Sequence, residues 1–258
     1  MDPQEQFRSE RETRIRAMAG ETKLRDLSRQ WTQESVAQQY VYNFDWLGRP
    51  IIQYPQDMVA FQEIVWKTKP DLIIETGIAH GGSLVLSASL LAMLDYADAA
   101  TQGTVLDPAK PKRKVLGIDI DIREHNRKAI LEHPFAARID MIQGSSIDPK
   151  TVAQVHDYAR GANSVLVCLD SNHTEEHVLE ELQAYAPLTS VGSYCIVFDT
   201  FVEDLAAGSF PNRPWEVGNN PKTAVWKYLE TNKEFTIDKT IHDKLLTTAA
   251  PDGFLLRG

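Results

Sequence analysis

Asp71-Leu-Ile-Ile-Glu-Thr-Gly-Ile-Ala-His-Gly-Gly-Ser-Leu-Val85 decides how the chain is read. An apolar run of strand length ends in Glu75 and turns through Gly77, Gly81 and Gly82 into a second apolar segment, the pattern of a strand, a tight turn and a helix. Open α/β sheets collect their ligands at the carboxyl ends of strands, where Glu75 stands. The glycine spacing is G-x-x-x-G-G, not the G-x-G-x-x-G of dinucleotide binders, which weakens a pyrophosphate reading. An acid closing the strand before Gly-x-x-x-Gly suits a ligand with an adenosine and a positive charge, such as S-adenosylmethionine. Glu75, Gly77, His80, Gly81 and Ser83 are then the candidate cofactor positions. An ordinary strand-to-helix turn would use the same glycines.

Outward from this stretch, strands at residues 72–74, 115–118, 139–142, 165–169 and 194–198 alternate with helices at 83–96, 123–131, 151–158 and 175–185. Such alternation predicts a Rossmann-like α/β fold, a mostly parallel sheet flanked by helices. A further helix is expected at 56–67, a long irregular and functional loop at 199–220, a helix at 223–229, and a C-terminal antiparallel hairpin from 235–237 and 253–256. Residues 1–37 mix charges with Met18, Leu24, Leu27 and Trp31 at helical spacing, an amphipathic helical extension packed on the domain of residues 38–258 or on a second subunit. The aromatic stretch Tyr40 to Pro50 reads as an ordered loop, either a lid over a pocket or a plug in the core.

The 258 residues suffice for one well-buried domain with appendages. A net charge of -9 with no balancing basic cluster argues against nucleic acid as the partner, and Lys110-Pro-Lys-Arg-Lys114 reads as a solvated loop. Cys168 and Cys195 lie inside apolar strands and read as buried thiols, too few for a disulfide framework or a zinc site. The polar start and the lack of any apparent membrane-spanning segment make a cytoplasmic protein the expectation.

Informative residues gather at the strand ends. Asp119 closes the second strand, where an acid accepts the hydroxyls of a ribose. Gly144 and Ser145, after the third strand, either border an adenine or form a plain turn. Asp170 and Asp199 end the fourth and fifth strands and make a natural hard-cation site for magnesium. His173, three residues after Asp170, is the candidate general base beside that cation. His173-Thr-Glu-Glu-His177 also matches the inverted zinc-peptidase signature H-x-x-E-H, which needs both histidines on one helix face.

With these residues in view, the chain from about Tyr40 onward resembles the family of cephalosporin hydroxylases and rhamnosyl O-methyltransferases. The resemblance rests on Leu47-Gly-Arg-Pro-Ile-Ile-Gln-Tyr-Pro-Gln-Asp57, Glu75-Thr-Gly-Ile-Ala-His-Gly-Gly-Ser83, Gly117-Ile-Asp119, Asp170-Ser-Asn-His173, Gly218-Asn-Asn-Pro-Lys-Thr-Ala-Val225 and Pro251-Asp-Gly-Phe254. It implies a class I methyltransferase binding S-adenosylmethionine around Glu75, Gly77, Ser83 and Asp119, a magnesium site at Asp170 and Asp199, and a base at His173. The acceptor would be a sugar hydroxyl of a glycan or glycosylated small molecule; the charged amphipathic N-terminus separately points to a homo-oligomer. Related metal-dependent members carry two adjacent acids at the end of the fifth strand, where this chain has Phe198-Asp199-Thr200. Either Thr200, Glu203, Asp204 or a water then completes the coordination, or the metal is weak or absent. Two alternatives remain: an iron and 2-oxoglutarate hydroxylase, which would need two histidines and one carboxylate, and a non-catalytic adenosyl-ligand-binding protein.

Overall fold

The computed structural model describes residues 2–258. Its elements in chain order are α1 (Pro3–Gly20), α2 (Thr22–Ala37), β1 (Phe44–Trp46), β2 (Arg49–Ile51), α3 (Pro55–Thr68), β3 (Leu72–Thr76), α4 (Gly82–Gln102), β4 (Lys114–Asp119) and α5 (Glu124–Leu131). They continue with β5 (Ile139–Gln143), α6 (Pro149–Ala159), β6 (Val165–Leu169), α7 (Glu175–Tyr185), β7 (Tyr194–Val197), α8 (Pro221–Thr231), β8 (Phe235–Ile237), α9 (Lys239–Leu245) and β9 (Phe254–Arg257).

Seven strands form one sheet in the order β5-β4-β3-β6-β7-β9-β8. Strands β3 to β7 run parallel, while β9 is antiparallel to both of its neighbours. The Val-, Ile- and Leu-rich strands β3 and β6 are buried along their whole length, as the centre of a sheet covered on both faces requires. One apolar cluster joins one face of the sheet to α3 and α4, and the other joins the opposite face to α6, α7 and α8. The chain leaves β3 outward through β4 and β5, then returns to β6 on the other side. The strand order therefore reverses between β3 and β6, and the crevice at their carboxyl ends is where such sheets bind ligands.

Three details differ from the sequence expectation. The C-terminal strand pair is antiparallel as predicted, but it is no tight hairpin: residues 238–253, with the short helix α9, separate β8 from β9. The Tyr40 to Pro50 stretch holds a 3-10 turn and the small hairpin β1-β2. Helix α4 is by length and composition able to cross a membrane, with mean hydropathy 1.3 in its most apolar window, which was not expected. Half of that window is buried, because α4 is a core helix of the sheet.

The N-terminal extension is helical as predicted. Helix α2 packs on the domain through Thr32 and Ser35, whose hydroxyl bonds Tyr54 Oη at 2.8 Å. Helix α1 buries no side chain.

Candidate active site

The reversal point is built by close backbone approach. Asp170 N–H donates to Thr76 O at 3.0 Å, and Gly77 N–H to Ile118 O at 2.8 Å, so β4, β3 and β6 end side by side. Gly77 has φ +88, and a Cβ there would lie 2.1 Å from the Asp170 carbonyl oxygen. At Gly82 a Cβ would lie 2.2 Å from Pro50 O, and at Gly81 2.4 Å from Ile130 Cδ1. These glycines meet a packing requirement, as an ordinary strand-to-helix turn would. The turn is pinned from outside: Arg49 donates to His80 O, with its Nε 3.1 Å away, and Asn126 Nδ2 donates to Ala79 O at 2.9 Å.

Glu75 projects from β3 into this region and is buried. Burial pushes its carboxyl up to about 7 from the ordinary 4.5, and the Ser83 and Ser87 hydroxyls pull it back only partly. Ser83 Oγ donates to Glu75 Oε1, whereas Ser87 Oγ lies close without full hydrogen-bond geometry. Asp119 is occupied by the glycine turn itself, accepting from Ile78 N at 2.8 Å and Ala79 N at 3.3 Å. Gly144 and Ser145 follow β5 outside the lining of the main cavity, and a Cβ on Gly144 would meet Thr151 Oγ1 at 2.4 Å, as a packed turn would.

Across the reversal point, Asp170, His173 and Asp199 present ligating atoms all within 4.8 Å of one another. His173 Nε2 and Asp199 Oδ2 are 2.9 Å apart. Asp199 takes a left-handed backbone, φ +56, which an aspartate tolerates better than most residues, and which turns the chain sharply after β7. Burial holds the Asp170 carboxyl well above the usual range, and the charges of Asp199, Glu75 and Glu181 add to it. Nearby Asp57 is pushed up to about 7, again chiefly by burial, although it accepts from Ala249 N at 2.7 Å and from Thr248 Oγ1. Among the described residues no basic side chain other than His173 pairs with Asp57, Glu75, Asp170 or Asp199.

The other proposed metal ligands are committed elsewhere. Thr200 is fully buried and donates to Pro251 O at 2.6 Å, Glu203 accepts from Gly218 N at 2.8 Å and from Asn220 Nδ2, and Asp204 pairs with Lys222 at 2.7 Å. His173 is instead the third group at the cluster. The H-x-x-E-H pattern does not close: His177 turns to Ser146 Oγ at 3.0 Å and Ser171 Oγ at 3.2 Å, while His173 faces Asp199.

A cavity of about 870 Å³ joins the Gly77 to Ser83 turn to the Asp170, His173 and Asp199 cluster. Tyr42, Tyr54, Phe201, Phe210 and Trp215 line it. Of the aromatic side chains in the stretch read as a lid or a plug, only Tyr42 lines the cavity. Phe44 and Trp46 pack toward the core, and Trp46 Nε1 donates to Ser89 Oγ at 3.0 Å. Gln33 and Val36 of α2 also reach the cavity, so the extension contributes to the site.

A family model described as Rhamnosyl O-methyltransferase/CmcI matches residues 38–258. The chain belongs to this family. Within the rhamnosyl O-methyltransferase/CmcI family it is 30% identical over 206 residues to the rhamnosyl O-methyltransferase of Mycobacterium tuberculosis (strain ATCC 25618 / H37Rv), covering 78% of this chain and 73% of that protein. The corresponding protein of Mycobacterium leprae (strain TN) is 27% identical over 216 residues, 82% of each chain. Two solved structures share the fold. A CmcI structure with Mg and SAM matches with TM-score 0.55 at 18% identity, over 84% of this chain and 77% of that one. CalS11, a TDP-rhamnose 3'-O-methyltransferase of calicheamicin biosynthesis, matches with TM-score 0.51 at 16% identity, over 90% and 93%.

Proposed function

We propose that this member of the family transfers the methyl group of S-adenosylmethionine to a sugar hydroxyl, on a rhamnose-like unit of a glycan or glycosylated small molecule, with magnesium assistance. The observation that carries the reading is the cavity that joins the Gly77 to Ser83 turn to the Asp170, His173 and Asp199 cluster, with the buried Glu75 in a small pocket that shares Ser83 and Asp170 with it.

Both ligands fit the residues present. Glu75 is a buried acid without a cationic partner, a donor set that accepts the positive charge of an amino acid or sulfonium. Asp170 and Asp199 offer hard oxygen ligands whose crowded negative charge a divalent cation would relieve. When bound, S-adenosylmethionine supplies an electrophilic methyl group, and magnesium supplies a positive charge that lowers the pKa of a neighbouring hydroxyl. Glu75, Gly77 and Ser83 would hold the methionine end, while Asp119, which already accepts from Ile78, Ala79 and Asp121 N, would share or give up one of those bonds to hold the ribose. The His173 imidazole, oriented by Asp199, would take the acceptor's proton at a ring nitrogen. Tyr42, Tyr54, Phe201 and Phe210 would exclude water and hold the acceptor in line.

The hydroxylase alternative loses ground, because the cluster holds one histidine and two carboxylates instead of the reverse. A homo-oligomer remains part of the reading. Helix α1 lies against α9 yet buries no side chain along its 18 residues, which leaves a surface for a second subunit, since a helix gains most of its stability from packing. Light scattering on the purified protein tests that point, and a monomer would remove it. The function itself is tested by radiolabelled methyl transfer from S-adenosylmethionine to alkyl rhamnosides, with and without magnesium. Absence of both transfer and S-adenosylhomocysteine binding would overturn it.

A further inference from the structure

We infer that Trp215 is a positioning residue that locks the His173 imidazole in its working orientation; the inference rests on the methyltransferase reading above. His173 sits in the loop ahead of α7, and its ring makes one polar contact, to Asp199. A ring held at one atom can still swing about that contact. The missing constraint comes from Trp215, whose ring lies 4.6 Å from the imidazole, centroid to centroid, at an interplanar angle of 77°. Perpendicular aromatic pairs at such a distance attract beyond their buried area. Arg213 places its guanidinium over the indole, 5.1 Å from the ring centroid, which steadies Trp215 in turn.

The loop that brings Trp215 is anchored on both sides of it. Glu203 accepts from Gly218 N at 2.8 Å and from Asn220 Nδ2, and the backbones of Glu216 and Asn219 pair. Asn219 also donates to Pro214 O at 3.0 Å and accepts from Glu175 N at 3.0 Å, in the first turn of α7. Trp215 and His173 are thus referenced to the same helix end. Glu203, a candidate metal ligand on sequence grounds, is the clamp of this loop.

The test compares Trp215→Ala and Trp215→Phe with the unaltered protein in two assays. The first needs neither cofactor nor acceptor: His173 is labelled with diethyl pyrocarbonate and read by peptide mass spectrometry, with His177 as internal control. The expectation is ~5-fold faster labelling of His173 in Trp215→Ala, near-normal labelling in Trp215→Phe, and no change at His177. Unchanged His173 labelling in Trp215→Ala would overturn the inference. The second assay measures methyl transfer to an alkyl rhamnoside. Loss of position should lower kcat ~10-fold in Trp215→Ala with KM altered by less than ~3-fold, and Trp215→Phe should recover most of it. A raised KM with unchanged kcat would make Trp215 an acceptor wall and overturn the positioning role. If the unaltered protein neither transfers methyl nor binds S-adenosylhomocysteine, the methyltransferase reading fails while the labelling assay still decides about Trp215.

Discussion

Replacing Glu75 by glutamine should stabilise the ligand-free protein at alkaline pH while destroying its affinity for S-adenosylmethionine. The buried carboxyl titrates near 7 in the fold and at 4.5 when free in the unfolded chain. The folded state therefore binds more protons than the unfolded state between those values. Its stability falls as pH rises through that window and is level above it. At about 1.4 kcal/mol per pH unit, the gap corresponds to about 3 kcal/mol of destabilisation above pH 8, of which only about 1 kcal/mol is present at pH 5. A glutamine of the same shape carries no such cost, and its amide meets the hydroxyls of Ser83 and Ser87. Strain in the new hydrogen bonds is the same at both pH values and cancels in the comparison, so between pH 5 and pH 8.5 the variant gains about 2 kcal/mol on its parent, or several degrees in Tm for a chain of this size. Urea unfolding of both proteins at pH 5 and pH 8.5, without magnesium or cofactor, reads the effect; removing the Glu75 charge also relieves Asp170, which acts in the same direction. A variant less stable than its parent by the same amount at both pH values would refute the reasoning.

Three further outcomes follow from the geometry. His173→Ala should lose ~100-fold or more in kcat while calorimetry shows S-adenosylhomocysteine affinity little changed, since the imidazole lies at the cation cluster. Gly77→Ala, with its Cβ 2.1 Å from Asp170 O and φ at +88, should cost ~3 kcal/mol or more by chemical denaturation. Because the Asp170 carboxyl is held well above its usual range, magnesium must displace protons to bind. Magnesium affinity should then rise with pH, with proton release visible as buffer-dependent binding heat, and Asp170→Asn should abolish both.

Much of the site was legible because chemistry-bearing residues fall at strand ends, where alternation of strand and helix brings them to one edge of the sheet. Asp170, His173 and Asp199 were found that way, as was Glu75. What escaped depends on contacts distant in sequence. Asp57 is tied to Thr248 and Ala249 across some 190 residues, and no local pattern announces it. Trp215 lies in a loop with neither helical nor strand periodicity, so its arrival against His173 is invisible until the Glu203 clamp is seen. Helix α9 covers seven residues, too short for a periodic signal, and β1 and β2 cover three each. Thr200 stood beside Asp199 in sequence, yet the left-handed turn at Asp199 sends its hydroxyl to the interior.

The placement of β9 bears on how the protein is made. Residues 254–257 are the last strand in the chain, yet they lie between β7 and β8, pairing with both. A nascent chain leaving the ribosome can assemble β3 to β7 early, but β8 has no partner until β9 emerges and slides in beside it. Until then β7 presents a bare edge, a template for pairing with another chain. Slow synthesis or early termination near this point would yield clumped protein more readily than a soluble fragment.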